Sequence, residues 1–290
     1  MLVHVGATGY RSTEYPVGSF YCHRVSIRRC ESYMSQSQSQ LAQSQLELMK
    51  LETELALVQQ ELENALADLY APLANLANSR LRQIQPLIRA AFVLIAATGD
   101  PDNESLRRQR LALAAGQEML YLALMIHQSL LIGQEAAQDE QQKTRMGGIV
   151  LTGDYCFSRA AIFAAQTDHV QVVEIFSESL KATSEGMLRK LFVGQNGDSS
   201  NDQSGGTTSY DERIDLLSSC ARSAACLVGY SDQTATHIHE IGRAIVDETT
   251  PSVDRSFVSL TNQIHSIPQL KPHQRARWAI MPLWLAKQTW

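Results

Sequence analysis

The chain lacks the short motifs that mark the common nucleotide, zinc and hydrolase sites. Its 290 residues contain no Gly-rich phosphate loop, no GxGxxG, no HExxH and no GxSxG. The five cysteines form no CxxC pair and no regular spacing, which argues against a zinc site and against a disulfide framework. An unpatterned odd number of cysteines is typical of reduced thiols, so we expect a cytoplasmic protein.

Three further absences narrow the fold and the partners. No window alternates with period two and no β-branched runs occur, so the sequence predicts an all-α protein. A net charge of −5 excludes a nucleic-acid binder that relies on a global basic field. The longest apolar stretch, 111–132, is interrupted by Gln117, Glu118, His127 and Gln128, which favours a buried core helix over a membrane span.

The clearest pattern that is present is a heptad in the N-terminal third. Apolar residues alternate in steps of three and four, which is typical of a helix that packs along one seam. This pattern fits the amphipathic first helix of a bundle, and it also fits an intermolecular coiled-coil contact that would make the chain an oligomer. The seam consists of Leu48, Leu51, Leu55, Val58, Leu62, Ala65 and Leu69.

The sequence divides into three parts. Residues 1–40 have no period and no secretory apolar segment, so we expect a disordered extension, with Met34 as a candidate start. Residues 41–260 carry helical periodicity, including a predicted helix over 79–98, and form the expected helical domain. Residues 261–290 form a tail with prolines and tryptophans.

Two segments carry a family resemblance. Residues 118–127 form an apolar helical stretch followed by Gln128-Ser129-Leu130-Leu131-Ile132, and residues 150–160 contain Gly153-Asp154-Tyr155. The pair resembles the trans-prenyl diphosphate synthases, in which the first segment ends in DDxxD and the second reads GDy. The resemblance implies an all-α, isoprenoid-synthase-like helical bundle, here with a heptad-patterned N-terminal helix.

The resemblance also implies where the site residues lie. His127 matches the histidine that precedes DDxxD, while Gln128, Ser129 and Ile132 occupy the three carboxylate positions. In the family these carboxylates bind Mg²⁺, which neutralises the diphosphate leaving group. The other remnants are the acidic pair Asp247 and Glu248, at the second aspartate-rich motif, and Arg80 and Arg82, in place of GGKRxRP, as expected substrate-binding residues. The Arg-Arg-Gly element is not found between Gly133 and Gly148.

Two acids inside apolar helical stretches have alternative interpretations. Asp154 is expected to be either a remnant of the family site or a buried acid bonded to backbone or to an arginine. Glu118 has the same alternatives.

With both aspartate-rich motifs degenerate, we expect a non-catalytic homologue or a regulatory subunit of a heteromeric prenyl diphosphate synthase. Its expected partner is an active synthase subunit or a second copy of itself. No metal or cofactor is expected, and Mg²⁺ only if residual activity exists. The alternatives are a weak prenyltransferase that uses Asp154, Glu185, Asp247 and Glu248, and a helical adaptor unrelated to isoprenoids.

The C-terminal segment has two interpretations. Basic residues at 271–277 precede Trp278 and Trp284, with Trp290 at the end. Basic side chains beside tryptophans fit a peripheral membrane contact, and the same pattern fits a final helix that packs on the bundle.

Overall fold

The computed structural model describes residues 19–99, 103–132, 140–195, 212–248 and 257–288, and within these ranges it contains ten helices and no strand. The all-α prediction is therefore confirmed. The helices are α1 (Ser19–Ala67), α2 (Ala71–Gln83), α3 (Ile88–Ala96), α4 (Glu104–Ile132), α5 (Glu140–Ala165), α6 (Val170–Gln195), α7 (Glu212–Val228), α8 (Asp232–Glu248), α9 (Val258–Ser266) and α10 (Pro272–Ala286).

By its internal contacts the chain divides into two units, 1–45 and 46–290. Residues 1–18 of the predicted extension lie outside the described residues, and from Ser19 the backbone is helical as the first part of α1. The predicted tail contributes the end of α9 and all of α10, and both helices belong to the second unit.

The heptad seam faces the bundle core. Leu51, Val58 and Leu62 have no exposed surface, and Leu55 and Leu69 are partly buried against the same core. Burying one leucine side chain fully contributes about 1.5–3 kcal/mol, so the seam binds α1 firmly to the rest of the unit. Of the two interpretations of the heptad, the first helix of a bundle is therefore confirmed.

The centre of the second unit is formed by α3 and α4. Every residue of α3 from Arg89 to Ala96 is buried, and α4 packs against α2, α3, α5 and α7. The approach of α4 to α5 is close at Gly116, where an added Cβ would lie 3.2 Å from Phe163 Cβ, closer than ordinary van der Waals contact. This close packing fixes the two helices that carry both segments of the resemblance.

The predicted helix over 79–98 is wrong in one respect, because two helices occupy this range. α2 ends at Gln83 and α3 begins at Ile88, with Pro86 between them. Proline has no backbone N–H to continue a helical ladder, and it disfavours helical geometry at the preceding residue.

The tryptophans of α10 pack inward. Trp278 is fully buried and makes an edge-to-face contact with Phe92 of α3, with ring centroids 5.8 Å apart, and Trp284 is also buried. This is the arrangement of a final helix docked on the bundle; a peripheral membrane contact stays a prediction, and Trp290 lies outside the described residues. Within the described ranges, none of the helices has the length and hydropathy needed to cross a membrane.

Candidate functional site

The last turns of α4 hold the residues at the first aspartate-rich position. The Gln128 Nε2 donates a hydrogen bond to Glu212 Oε1 on α7 at 2.9 Å. The Ser129 hydroxyl donates to the backbone carbonyl of Met125 at 3.1 Å, one turn back on the same helix. Both side chains are thus occupied by contacts within the protein, and the side chain of Ile132 lies outside the described residues.

His127 joins the two segments of the resemblance. Its Nε2 lies 3.3 Å from the carbonyl oxygen of Val150 and 3.4 Å from Asp154 Oδ1, both on α5. Its ring also packs on Phe157, with centroids 5.0 Å apart. Gly153 makes room for this ring, because a Cβ at that position would lie 2.1 Å from His127 Nε2. The Gly-Asp step of α5 is therefore built around the histidine of α4.

Asp154 is not a buried acid. Its side chain is 60% exposed, and its Oδ1 lies 3.4 Å from His127 Nε2. The expectation of a buried carboxylate bonded to backbone or arginine was wrong, because Asp154 lies on the outer side of α5, whereas Gly153 and Cys156 beside it are buried.

Glu118 is the buried acid that its apolar surroundings predict. It is fully buried and accepts hydrogen bonds from Arg89 Nε and from the backbone N–H of Ala90, both at 2.9 Å. The guanidinium of Arg89 lies 3.6 Å from the centroid of the Tyr121 ring. Glu118 therefore ties α4 to the start of α3 and has a structural role.

A pocket of about 850 Å³ lies between α2, the end of α4 and the first half of α5, and we call it the α2–α5 pocket. It brings together two residues singled out from the sequence, Arg80 and Ser129, and adds Arg145 from α5. Among the described residues that line the pocket, the charged side chains are those of Arg80 and Arg145. Its apolar walls are formed by Tyr70, Pro72, Leu73, Leu76, Leu130, Met146, Ile149 and Leu151.

The other remnant residues do not line this pocket. Arg82 is exposed two residues beyond Arg80, and Asp247 is exposed on α8. The side chain of Glu248 lies outside the described residues. In the described ranges no group of three or more His, Cys, Asp or Glu side chains is arranged to hold a metal ion.

Arg145 is a pocket residue that the sequence pattern does not predict. It stands in Arg145-Met146-Gly147, which keeps one arginine and the glycine of the family's Arg-Arg-Gly element at a later position than the spacing predicts. The GGKRxRP motif can also be aligned with this chain in a second register, which ends at Pro86. With Pro86 as the proline of GGKRxRP, Arg82 takes the lysine position and glutamines take both arginine positions. In that register too, the glycines and arginines of the motif are absent.

Comparison with solved structures identifies the fold. The chain superposes on a geranylgeranyl pyrophosphate synthetase of Geoglobus acetivorans with a TM-score of 0.58 and 13% identity, covering 82% of this chain and 99% of the other. For a polyprenyl synthase of Caulobacter crescentus the TM-score is 0.57 and the identity 14%, covering 84% of this chain and 99% of the other. For a decaprenyl diphosphate synthase of Rhodobacter capsulatus the TM-score is 0.56 and the identity 15%, with the same two coverages of 84% and 99%. The chain has the fold of the trans-prenyl diphosphate synthases.

Sequence comparison points the same way over a shorter range. Solanesyl-diphosphate synthase 2 of Oryza sativa subsp. japonica is 26% identical over 129 residues, which cover 43% of this chain and 32% of that protein. The chain thus matches about a third of the length of this curated relative. No family model matches the chain. The resemblance to the trans-prenyl diphosphate synthases is therefore confirmed. At the first aspartate-rich motif this chain has Gln128, Ser129 and Ile132.

Proposed function

We propose that this chain is a non-catalytic homologue of the trans-prenyl diphosphate synthases and acts as a partner subunit of an active synthase. The observation that carries the proposal is the end of α4. Mg²⁺ in such sites is held by carboxylates and substrate phosphates. Here the amide of Gln128 is bonded to Glu212 and the hydroxyl of Ser129 to a backbone carbonyl, so neither side chain replaces a carboxylate ligand.

The remaining acids give little support to a weak prenyltransferase. Asp154 contacts His127, and Glu185 lies on the outside of α6 at 3.9 Å from Lys181. Asp247 is exposed on α8. Among the described residues, these acids do not form a group that could hold a metal ion. An activity that depends on Mg²⁺ would need several of these carboxylates around one ion.

The α2–α5 pocket supports a binding role instead. Two guanidiniums at an apolar pocket suit a ligand with a phosphate headgroup and a hydrocarbon tail, because guanidinium pairs with phosphate through charge-assisted hydrogen bonds. Isoprenoid diphosphates, the compounds in the names of the relatives, belong to this class. We therefore propose that the pocket binds such a compound without a metal ion.

The first prediction concerns catalysis and partnership. The purified chain, given allylic and isopentenyl diphosphates with Mg²⁺, should form no prenyl diphosphate above the protein-free control. The double variant Gln128→Asp/Ser129→Asp should stay inactive, because the second acidic site and the diphosphate-binding arginines are also incomplete.

Mixed with an intact synthase from the same genome, the chain should co-elute with it and shift its product length.

Two outcomes would contradict this proposal. Product formation by the chain alone that is lost in Asp247→Ala would make it an enzyme. Separate elution together with an unchanged product distribution would remove the role as a partner subunit. Self-association measured by light scattering decides whether a second copy takes the partner's place.

The second prediction tests the pocket with two neighbouring arginines on α2. Arg80→Gln should weaken the binding of geranyl diphosphate in the absence of metal by about tenfold or more, which is the size of one charge-assisted hydrogen bond. Arg82→Gln is the matched control, since Arg82 is exposed outside the pocket, and it should change the dissociation constant by less than about twofold. Isothermal titration calorimetry measures both, and equal losses in the two variants would mean that the pocket does not hold the headgroup.

A further inference from the structure

A cysteine near the end of α7 and a histidine just before α6 form a sulfur–nitrogen pair. Cys226 Sγ lies 3.8 Å from His169 Nδ1, although the two residues are 57 positions apart in the chain. Cysteine and histidine spacing reveals only ligands that are close in sequence, so this pair forms only because α6 packs against α7. Both side chains are partly exposed, so a ligand from solution has access to them.

The backbone holds both residues of the pair at helix ends. The carbonyl oxygen of His169 accepts hydrogen bonds from the N–H groups of Val172 and Val173, at 3.0 and 3.3 Å, so His169 is tied to the first turn of α6. Cys226 lies in the last turn of α7, and Gly229 follows that helix with a φ of 72°, in the left-handed region typical of a helix end. Side chains on anchored helix ends keep their separation, as a preorganised pair of ligands requires.

The separation of the two atoms matches that of two ligands on one metal ion. Zn²⁺ binds thiolate sulfur at about 2.3 Å and imidazole nitrogen at about 2.0–2.1 Å. Two such bonds at an angle of about 110–120° place the sulfur and the nitrogen roughly 3.6–3.8 Å apart, and the observed distance is 3.8 Å. Thiolate and imidazole suit Zn²⁺ and similar metals, whereas Mg²⁺ prefers oxygen ligands.

A carboxylate of α6 adds negative charge beside the pair. Burial raises the pKa of the Cys226 thiol, and the charge of Glu174 raises it further, so this carboxylate is close enough to act on the sulfur. The same negative charge attracts a divalent cation, and a coordinating thiol loses its proton to the metal ion's field.

We infer that His169 and Cys226 bind a thiophilic divalent metal ion of the Zn²⁺ class on the surface where α6 meets α7. In the part of the chain that the structure describes, three protein ligands are not gathered around one point, so water completes the coordination. The bound ion joins the first turn of α6 to the last turn of α7. The site is separate from the α2–α5 pocket, whose proposed ligand needs no metal.

The third prediction tests this site with Co²⁺, which replaces Zn²⁺ and gives a thiolate-to-metal charge-transfer band only when sulfur is a ligand. The full chain is used in a Cys22→Ser/Cys30→Ser background, because these two cysteines lie in the first part of α1. Cys156 and Cys220 stay in place, since both are buried. The band should rise to saturation with Co²⁺, Zn²⁺ should abolish it by displacement, and excess Mg²⁺ should leave it unchanged.

One variant of each ligand and a second histidine complete the test. Cys226→Ser should abolish the band. His169→Gln should weaken Co²⁺ binding by at least the roughly 10–100-fold that removing an outer-shell partner of a metal ligand costs. His237→Gln is the matched control and should leave the affinity unchanged, because His237 is also partly exposed but lies on α8 with its Nδ1 2.9 Å from the carbonyl oxygen of Gln233.

Circular dichroism checks that each variant folds, and His169→Ala replaces His169→Gln if that variant does not. Three results would overturn the inference: no charge-transfer band, a band that survives in Cys226→Ser, or equal losses of affinity in His169→Gln and His237→Gln. Displacement of Co²⁺ by Mg²⁺ would also overturn it, because it would indicate oxygen ligands. The pair would then be only a weak hydrogen bond between a thiol and an imidazole.

Discussion

Replacing Leu62 by lysine is expected to unfold the bundle and not to separate subunits. Leu62 has no exposed surface and lies on the seam of α1 that packs into the core. Losing a buried leucine side chain costs about 2–5 kcal/mol, and the ammonium group adds the cost of burying a charge without a partner. Domains of this kind are stable by about 5–15 kcal/mol in total, so the far-UV circular dichroism signal should fall sharply at 25 °C.

Leu57 provides the control on the same helix. It is 36% exposed on the face away from the seam, and Leu57→Lys should change the free energy of unfolding by no more than about 0.5 kcal/mol. The informative alternative is a folded, helical monomer for Leu62→Lys when light scattering shows the unaltered chain to be an oligomer. That result would make the seam an interface between chains and would contradict the packing of α1.

The heptad shows what a periodic sequence predicts and what it leaves open. The spacing of Leu48, Leu51, Val58 and Leu62 predicts a helix with one apolar face, and the structure contains that helix. Periodicity is a property of one helix, however, and it does not identify the surface that covers the apolar face. Only the positions of the other helices decide between the core and a second chain.

The candidate site shows the same limit at the level of single residues. The resemblance implies His127 and Asp154 as remnant site residues, and in the structure His127 Nε2 lies 3.4 Å from Asp154 Oδ1. The direction of Asp154 was predicted incorrectly, because an acid beside buried residues can point out of a helix one position further on.

Contacts between segments that are distant in the chain could not be predicted from the sequence. Gln128 and Glu212 are 84 residues apart, and their hydrogen bond exists because α4 and α7 pack together. Arg145 was missed because it enters the α2–α5 pocket from a position that the family's spacing does not predict. In both cases tertiary packing, and not a local pattern, determines which side chains meet.

The last prediction concerns Glu54, the buried carboxylate of α1 that contacts Arg110 of α4 and Arg277 of α10. Glu54→Gln keeps the volume of the side chain and removes its charge, so that Arg110 and Arg277 remain buried without the anion that both contact. Breaking a buried ion pair by removing one partner typically costs about 3–5 kcal/mol. We expect a loss of this size in the free energy of unfolding measured by urea denaturation, with an unchanged m-value.

Glu52→Gln is the matched control, because Glu52 lies two residues away on α1 with its side chain 52% exposed and 3.8 Å from Lys287. An exposed pair of this kind contributes about 1 kcal/mol or less, so equal losses in the two variants would show that the burial of Glu54 has no special consequence.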